Sequence, residues 1–565
     1  MSAIRMRGVY ANGKFLVFSF MLWSLPVMSG SLNWLRVRNR RHSPFSKPTE
    51  QSEENSSAQS ELVNREGWRG ALCSRLWSCS TERSWELCSG SSVCCPLGAK
   101  CPGRGCLLSA SPCCWSPPRS WPEGSGGERF SLALQEAAQV DKLIEEETGG
   151  EEVLEDRLPL LGVPLTVKES FALQGMPQTA GMVSKKGTLA TVDAPAVALL
   201  KRAGAIPLGV TNVPELCMWI ESHNHLYGIS RNPYDLDRIV GGSSGGEGCI
   251  LGGAGSVIGV GSDIGGSIRI PSFCCGIFGH KPTPGIVSNE NQLPPMSGRQ
   301  HELLSSGPMC RYAEDLLPML KIMAGANANK LSLDKKVDLK KLRFFTLPDC
   351  GEALFTNAVS EDLQRAQRKV VERLEADLGL KVEEVHFPDL KHTYDMWFVS
   401  MGLPDSEGKM PTSFSVLLGE PGPPAWPLWE LVKASVRMSD HTMASIMFAL
   451  LSTIAKPPLS ALKIKEKVQQ DFADLLGSDG VLLYPSLTRV APKHHHQLFA
   501  FHDLVYTTIF NVLGLPVTQC PLGLNEEGLP LGVQVVAGKL QDHLTIETAQ
   551  FLEKAFGGWR DPGAN

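Results

Sequence analysis

From Arg129 onward the chain alternates between two hydrophobic rhythms, and their order predicts the architecture. Ser131 to Glu147 has helical spacing, with Leu132, Leu134, Ala138, Val140 and Leu143 as its apolar face. Leu160 to Val167 is a short unbroken apolar run that Lys168 ends, which predicts a buried strand. A helix over Ala194 to Ala203 and a strand over Ala205 to Val210 come next. Strands alternating with helices from 160 to 290 predict an α/β sheet with parallel elements. Helical patterns return at Ala313 to Ala324 and Ser360 to Leu378, and Lys381 to Val385 reads as a strand. Trp397 to Leu451 is apolar and aromatic, broken at Pro404, Pro411 and the Pro421 to Pro427 cluster. Strands at Gly480 to Tyr484 and Leu531 to Ala537 and a helix from Leu544 to Phe556 close the pattern. No internal repeat interrupts it, so residues 129–563 form one large domain.

The first 128 residues follow neither rhythm. Phe15 to Met28 is almost continuously apolar, between Arg5, Arg7 and Lys14 on one side and Arg36, Arg38, Arg40 and Arg41 on the other. A spanning helix needs about 20 apolar residues, so the run reads as a marginal membrane anchor or a signal-peptide core. Residues 66–128 are rich in Cys, Ser, Pro and Gly without sustained periodicity, as expected of a linker. Nine of the 16 cysteines lie between Cys73 and Cys114, which reads as a small disulfide module, a zinc site or an irregular segment, and their odd number and lack of C-x-x-C pairs weaken the first two. The seven from Cys217 to Cys520 read as reduced, mostly buried thiols. A net charge of −5 offers no basic surface for nucleic acid, and the adjacent His494, His495 and His496 read as a loop rather than a metal site.

The chemistry concentrates in two glycine-serine clusters, Gly241-Gly242-Ser243-Ser244-Gly245-Gly246 and Asp263-Ile264-Gly265-Gly266-Ser267-Ile268-Arg269. Three uses compete. A phosphate cradle is one, but no G-x-x-x-x-G-K-[ST] occurs. An α/β-hydrolase elbow is another, with Ser244 as nucleophile and one of the later histidines as base. That elbow requires a helix after Ser244, where the small residues running to Gly261 predict none. The third is a Ser-Ser-Lys arrangement. Desolvation of Lys168 at a strand end would leave a neutral amine as base, Ser243 would relay the proton, and Ser267 would attack. The N–H groups of Ile264, Gly265, Gly266 and Ser267 would hold the oxyanion. A glycine-rich packing turn beside a buried lysine is the bland alternative to all three.

Lys168, the Gly-Gly-Ser-Ser-Gly-Gly loop and the Gly-Gly-Ser-Ile loop, separated by 75 and 24 residues, together resemble the amidase signature family. The likeness is greatest to its fatty-acid amide hydrolase branch of the second vertebrate type. It extends through Pro207 to Asn212, Phe278 to Thr283, Gly514 to Pro521 and Gly528 to Gln534. The resemblance implies a large mixed twisted β-sheet flanked by helices, and hydrolysis of fatty-acid primary amides and ethanolamides with no cofactor and no metal. It implies a cis peptide at Gly242–Ser243, support of the relay by Ser244, and bracing of the nucleophile loop by Asp263 and Arg269. Met218, Trp426 and Trp429 are expected along the acyl channel or its membrane-facing entrance. Expected partners are the fatty-acid amide and a membrane or lipid-droplet surface, at the endoplasmic reticulum or a lipid droplet, with a homodimer left open. The family's N-terminal bracing helices have no counterpart in residues 1–128. A non-catalytic membrane-associated relative therefore stands as an alternative, and within the amidase reading an amidotransferase-type subunit is the runner-up, against which the membrane-like N-terminus argues.

Overall fold

The computed structural model describes residues 126–147, 151–351, 356–454, 458–496 and 501–563, all within one compact unit. The apolar run at 15–28 and the cysteine-rich stretch lie outside them. A ten-stranded mixed sheet runs through this unit in the order β2-β1-β5-β7-β6-β11-β12-β10-β8-β9. Its first strands are β1 (Pro164–Lys168), β2 (Ile206–Thr211), β5 (Ile258–Asp263), β6 (Phe278–Lys281) and β7 (Ser305–Cys310). β8 (Arg343–Thr346), β9 (Val382–Glu384), β10 (Gly480–Tyr484), β11 (Val517–Leu524) and β12 (Pro530–Ala537) complete it. The remaining pair, β3 (His223–Asn224) and β4 (Gly228–Ile229), forms a separate small hairpin. β1 pairs in parallel with β2 and β5, and β8 with β9 and β10, while the strands between run antiparallel.

Both faces of the sheet are covered, which is why its strands read as continuous apolar runs. Val481 and Leu483 enter one hydrophobic core while Leu482 and Tyr484 enter the other, as the two-residue strand period requires. The first core also takes Leu165 and Val167 of β1, Val260 of β5 and Val535 of β12. The second packs Ile268, Phe273, Phe472 and Phe510 against the opposite face. β1 and β2, the helix Pro195–Arg202, β10, and the helices Glu361–Leu378 and Asp542–Phe556 all form where the pattern predicts, within a few residues at their ends. The aromatic stretch folds into helices Thr393–Met401, Phe414–Gly419, Pro427–Ser435 and Met443–Ile454.

Three expectations need correction. The first helix runs Gly126–Glu146, but Leu132, Leu134, Ala138 and Leu143 are exposed. Its inward stripe is instead Arg129, Ala133, Glu136 and Val140, residues four, three and four apart. Leu132 and Leu134 differ by two positions and cannot share that stripe with Ala133. Arg129 fixes it by donating from Nε to the Pro207 carbonyl of the edge strand β2 at 2.8 Å and by pairing with Glu136.

A helix, Gly245–Gly252, does follow Ser244. Its glycines are poor helix formers, but they let the helix press against the neighbouring chain. A Cβ at Gly246 would lie 2.3 Å from the Asn212 nitrogen, so tertiary packing overrides propensity here. Among the later cysteines six are free thiols, whereas Cys249 is disulfide-bonded.

Candidate active site

The site sits beyond the C-terminal ends of two adjacent parallel strands, β1 and β5, where open α/β sheets place their ligands. On β1 the period of two sends Leu165 and Val167 into one core and turns Thr166 and Lys168 toward the other face. Lys168 is 1% exposed. Its Nζ donates to Ser243 Oγ at 2.8 Å, to Ser262 Oγ at 3.0 Å and to the Ser262 carbonyl at 3.2 Å. All three acceptors are neutral. Burial lowers the lysine pKa, while the negative potentials of Cys217, Asp263 and Glu247 oppose that fall. Glu247 is itself pushed up to about 8 by burial, against the hydroxyls of Thr211 and Thr166, each donating to it at 2.7 Å. A carboxyl largely protonated at neutral pH adds little charge beside the lysine.

Ser243 and Ser244 lie between β4 and the helix Gly245–Gly252, and the Gly242–Ser243 peptide is cis. The Ser244 N–H donates to the Ser267 carbonyl at 3.2 Å, joining the loop of Ser243 to the loop of Ser267. The Ser244 hydroxyl donates to the Ser262 carbonyl at 3.4 Å. Ser267 is half-buried and opens on a narrow apolar cavity.

The loop Ile264–Ser267 is held from outside by its carbonyls. Trp397 Nε1 donates to the Ile264 carbonyl at 2.9 Å, and the Thr507 hydroxyl to the Gly265 carbonyl at 2.7 Å. With these oxygens engaged, the peptide units are oriented independently of any substrate. Gly266 has φ +126, a region L side chains avoid, and a Cβ there would lie 2.3 Å from Thr507 Oγ1. The Gly266 N–H donates to Asp263 Oδ1 at 2.8 Å, so this donor of the expected oxyanion set is already engaged by protein. The N–H groups of Ile264, Gly265 and Ser267 remain as the candidate set.

Asp263, at the end of β5, organises this turn. Its carboxylate accepts from the N–H groups of Gly266 and Ile268 and from Arg269 Nε and Nη2 at 3.0 and 2.9 Å. Burial alone would raise its pKa, but the charge and hydrogen bonds of Arg269 hold it well below the usual carboxylate range. Arg269 is fully buried and spends its other donors on the Thr507 carbonyl, Gln534 Oε1 and Asn511 Oδ1. These partners come from a helix and a strand some 240 to 265 positions away.

Met218 lines the cavity with Trp219 and Ile220 on one segment, and Tyr394, Trp397 and Phe398 on a helix. Phe448 contributes from the helix Met443–Ile454. Trp426 and Trp429 do not line it. They are 64% and 52% exposed at the start of the helix Pro427–Ser435, whose inward residues are Pro427 and Glu430. Among the described residues no group of His, Cys, Asp and Glu is arranged to hold a metal ion, and His494 Nδ1 instead pairs with Glu221 at 2.6 Å. A buried amine whose pKa is lowered, a serine hydrogen-bonded to it and an accessible serine beside N–H groups not engaged by protein make up a set that can support nucleophilic acyl transfer.

Comparison with known proteins agrees in fold and extent. The Amidase family model matches residues 128–546. Fatty-acid amide hydrolase 2-A of Danio rerio is 63% identical over 438 residues, covering 77% of this chain and 82% of the relative. Fatty-acid amide hydrolase 2 of Homo sapiens is 52% identical over 439 residues, covering 77% and 82%. A solved structure of a fatty acid amide hydrolase superposes with a TM-score of 0.58 at 22% identity, covering 76% of this chain and 78% of that one, and shares the fold.

Proposed function

We propose that this chain, which belongs to the amidase family, is a serine hydrolase that cleaves fatty-acid amides to free fatty acid and amine. Primary amides and N-acylethanolamines are the substrate class. The observation that carries the reading is the 2.8 Å contact between the buried Lys168 amine and Ser243 Oγ, with Ser243 one residue from the N–H that holds the Ser267 carbonyl. Neutral Lys168 accepts the Ser243 hydroxyl proton as Ser243 takes that of Ser267. Ser267 Oγ attacks the amide carbonyl, and the N–H groups of Ile264, Gly265 and Ser267 meet the developing oxyanion. Return of the proton along the same path to the leaving nitrogen expels the amine and leaves an acyl-enzyme, which water cleaves with the relay reversed. Asp263 and Arg269 keep the turn in shape and Ser244 keeps the two loops together.

The cavity walls suit an apolar chain, and the exposed face of the helix Pro427–Ser435 suits a lipid surface. Trp426, Leu428, Trp429, Val432 and Val436 stand open to solvent there, while Phe448 of the neighbouring helix lines the cavity. This reading places the protein on a membrane of the endoplasmic reticulum or a lipid droplet. No helix among the described residues is long and apolar enough to cross a membrane. A fluorophosphonate probe tests the chemistry. It is expected to label folded full-length chain at Ser267, and Ser267→Ala to abolish both labelling and long-chain amide hydrolysis. Absence of labelling in the folded wild type refutes the assignment.

A further inference from the structure

The segment leaving β2 is bent where its residues resist bending. Leu216 and Cys217 are consecutive non-glycine residues with φ +53 and +57, in the left-handed region where a Cβ is disfavoured. This turn delivers Cys217, Met218, Trp219 and Ile220 to the cavity beside Ser267. Glu215 opens it, and its carboxylate is 2% exposed.

That carboxylate is satisfied by the two residues that lead into the helix Met443–Ile454. It accepts from His441 Nδ1 at 2.8 Å, from the Thr442 N–H at 2.8 Å and from the Thr442 hydroxyl at 3.0 Å. Thr442 Oγ1 also accepts from the Ser445 N–H at 3.3 Å in the first turn of the helix Met443–Ile454. That helix carries Phe448 to the cavity, and Leu216 packs against its Ala449. From His441 the hydrogen-bonded path continues outward. The His441 N–H donates to Ser439 Oγ at 3.1 Å, and Ser439 donates to Glu430 Oε2 at 2.8 Å. Glu430 lies on the helix that exposes Trp426 and Trp429. Burial lowers the His441 pKa, but the hydrogen bond and charge of Glu215 outweigh it and raise the value. Glu430 and Lys433 are the other charged groups that act on it.

We propose that Glu215 is a positioning residue for long acyl chains. By clasping His441 and Thr442 it fixes the Met218 wall and the Phe448 wall in the relative placement that admits an extended chain to Ser267. The inference rests on the fatty-acid amide reading above. Glu215 touches none of the reacting groups, so losing it affects the fit of the chain and leaves the Ser267 chemistry intact.

Glu215→Ala and Glu215→Gln in the full chain test this. In Glu215→Ala, KM for a long-chain primary amide is expected to rise about tenfold, the loss of charge-assisted hydrogen bonds at one clasp. kcat, fluorophosphonate labelling of Ser267 and turnover of a short-chain amide are expected to hold. Glu215→Gln keeps an oxygen for Thr442 and is expected to restore most of the affinity. Binding of a free long-chain fatty acid, read by quenching of the cavity tryptophans Trp219 and Trp397, is expected to weaken in parallel in Glu215→Ala. Equal losses on long and short amides, or unchanged KM and unchanged fatty-acid binding, overturn the inference. A wild type that cleaves no long-chain amide refutes the substrate reading instead, and the fatty-acid binding comparison still decides on the clasp.

Discussion

Arg269→Met removes the cation from a pair in which both partners are fully buried. Methionine fills much of the volume but none of the five side-chain hydrogen bonds, two of which go to Asp263. Breaking one side of a buried pair costs about 3 to 5 kcal/mol, because the remaining charge stays desolvated. Unfolding entropy of about 2.1 cal/mol/K per residue over the roughly 420 described residues turns that cost into a fall in Tm of about 3 to 6 °C. The pH dependence follows from Asp263. In the wild type its pKa is depressed, so its contribution is present above the ordinary carboxylate range and is lost as pH falls through the depressed folded value. In the variant, burial without Arg269 raises the pKa, so the penalty is full at neutral pH and shrinks as acid protonates the carboxyl. Thermal unfolding at pH 7 and pH 5, with fluorophosphonate labelling alongside, reads both effects. Adding Asp263→Asn to Arg269→Met is expected to recover stability at pH 7 by removing the unpaired charge. A single variant melting within about a degree of wild type refutes the reasoning. So does a deficit equal at the two pH values, or a double variant that recovers nothing.

Lys168→Ala is expected to lower kcat/KM for amide hydrolysis most at moderate pH and less as pH rises, because hydroxide increasingly replaces the missing base; the burial-lowered pKa of Lys168 supplies the sign. A loss that is flat in a pH–rate profile assigns the lysine to structure alone. Replacing both Trp426 and Trp429 by Ser is expected to reduce cosedimentation with phospholipid vesicles several-fold while leaving turnover of a detergent-dispersed amide within about twofold. An equal loss in both assays would place these tryptophans in the catalytic cavity after all.

The order of strands and helices could be read along the chain, and so could the three polar positions of the proposed site, for a physical reason. A strand buried on both faces must be apolar throughout, so a lysine at the end of Leu160 to Val167 stands out. Serines in runs of glycine stand out equally, since few other backbones tolerate such sequence. The first helix was legible as a helix but not by its buried face, because its apolar residues outnumber those that pack inward. The Gly245–Gly252 helix was not legible, because its glycines are selected by close approach to Asn212 and not by propensity.

What surrounds Lys168, Ser243 and Ser267 was decided only by tertiary structure. Trp397, Thr507 and Asn511 brace the Asp263–Ser267 turn, and Glu215 reaches His441, from positions whose local sequence resembles any buried polar residue. Trp426 and Trp429 show the converse: aromatic composition alone cannot tell a channel wall from an outer face. The sequence by itself determined which residues the proposed chemistry draws on, since that chemistry needs those residue types at those spacings. The tertiary structure decided which N–H groups remain free, which walls the substrate meets and what holds them apart, since those depend on contacts between elements far apart in the chain.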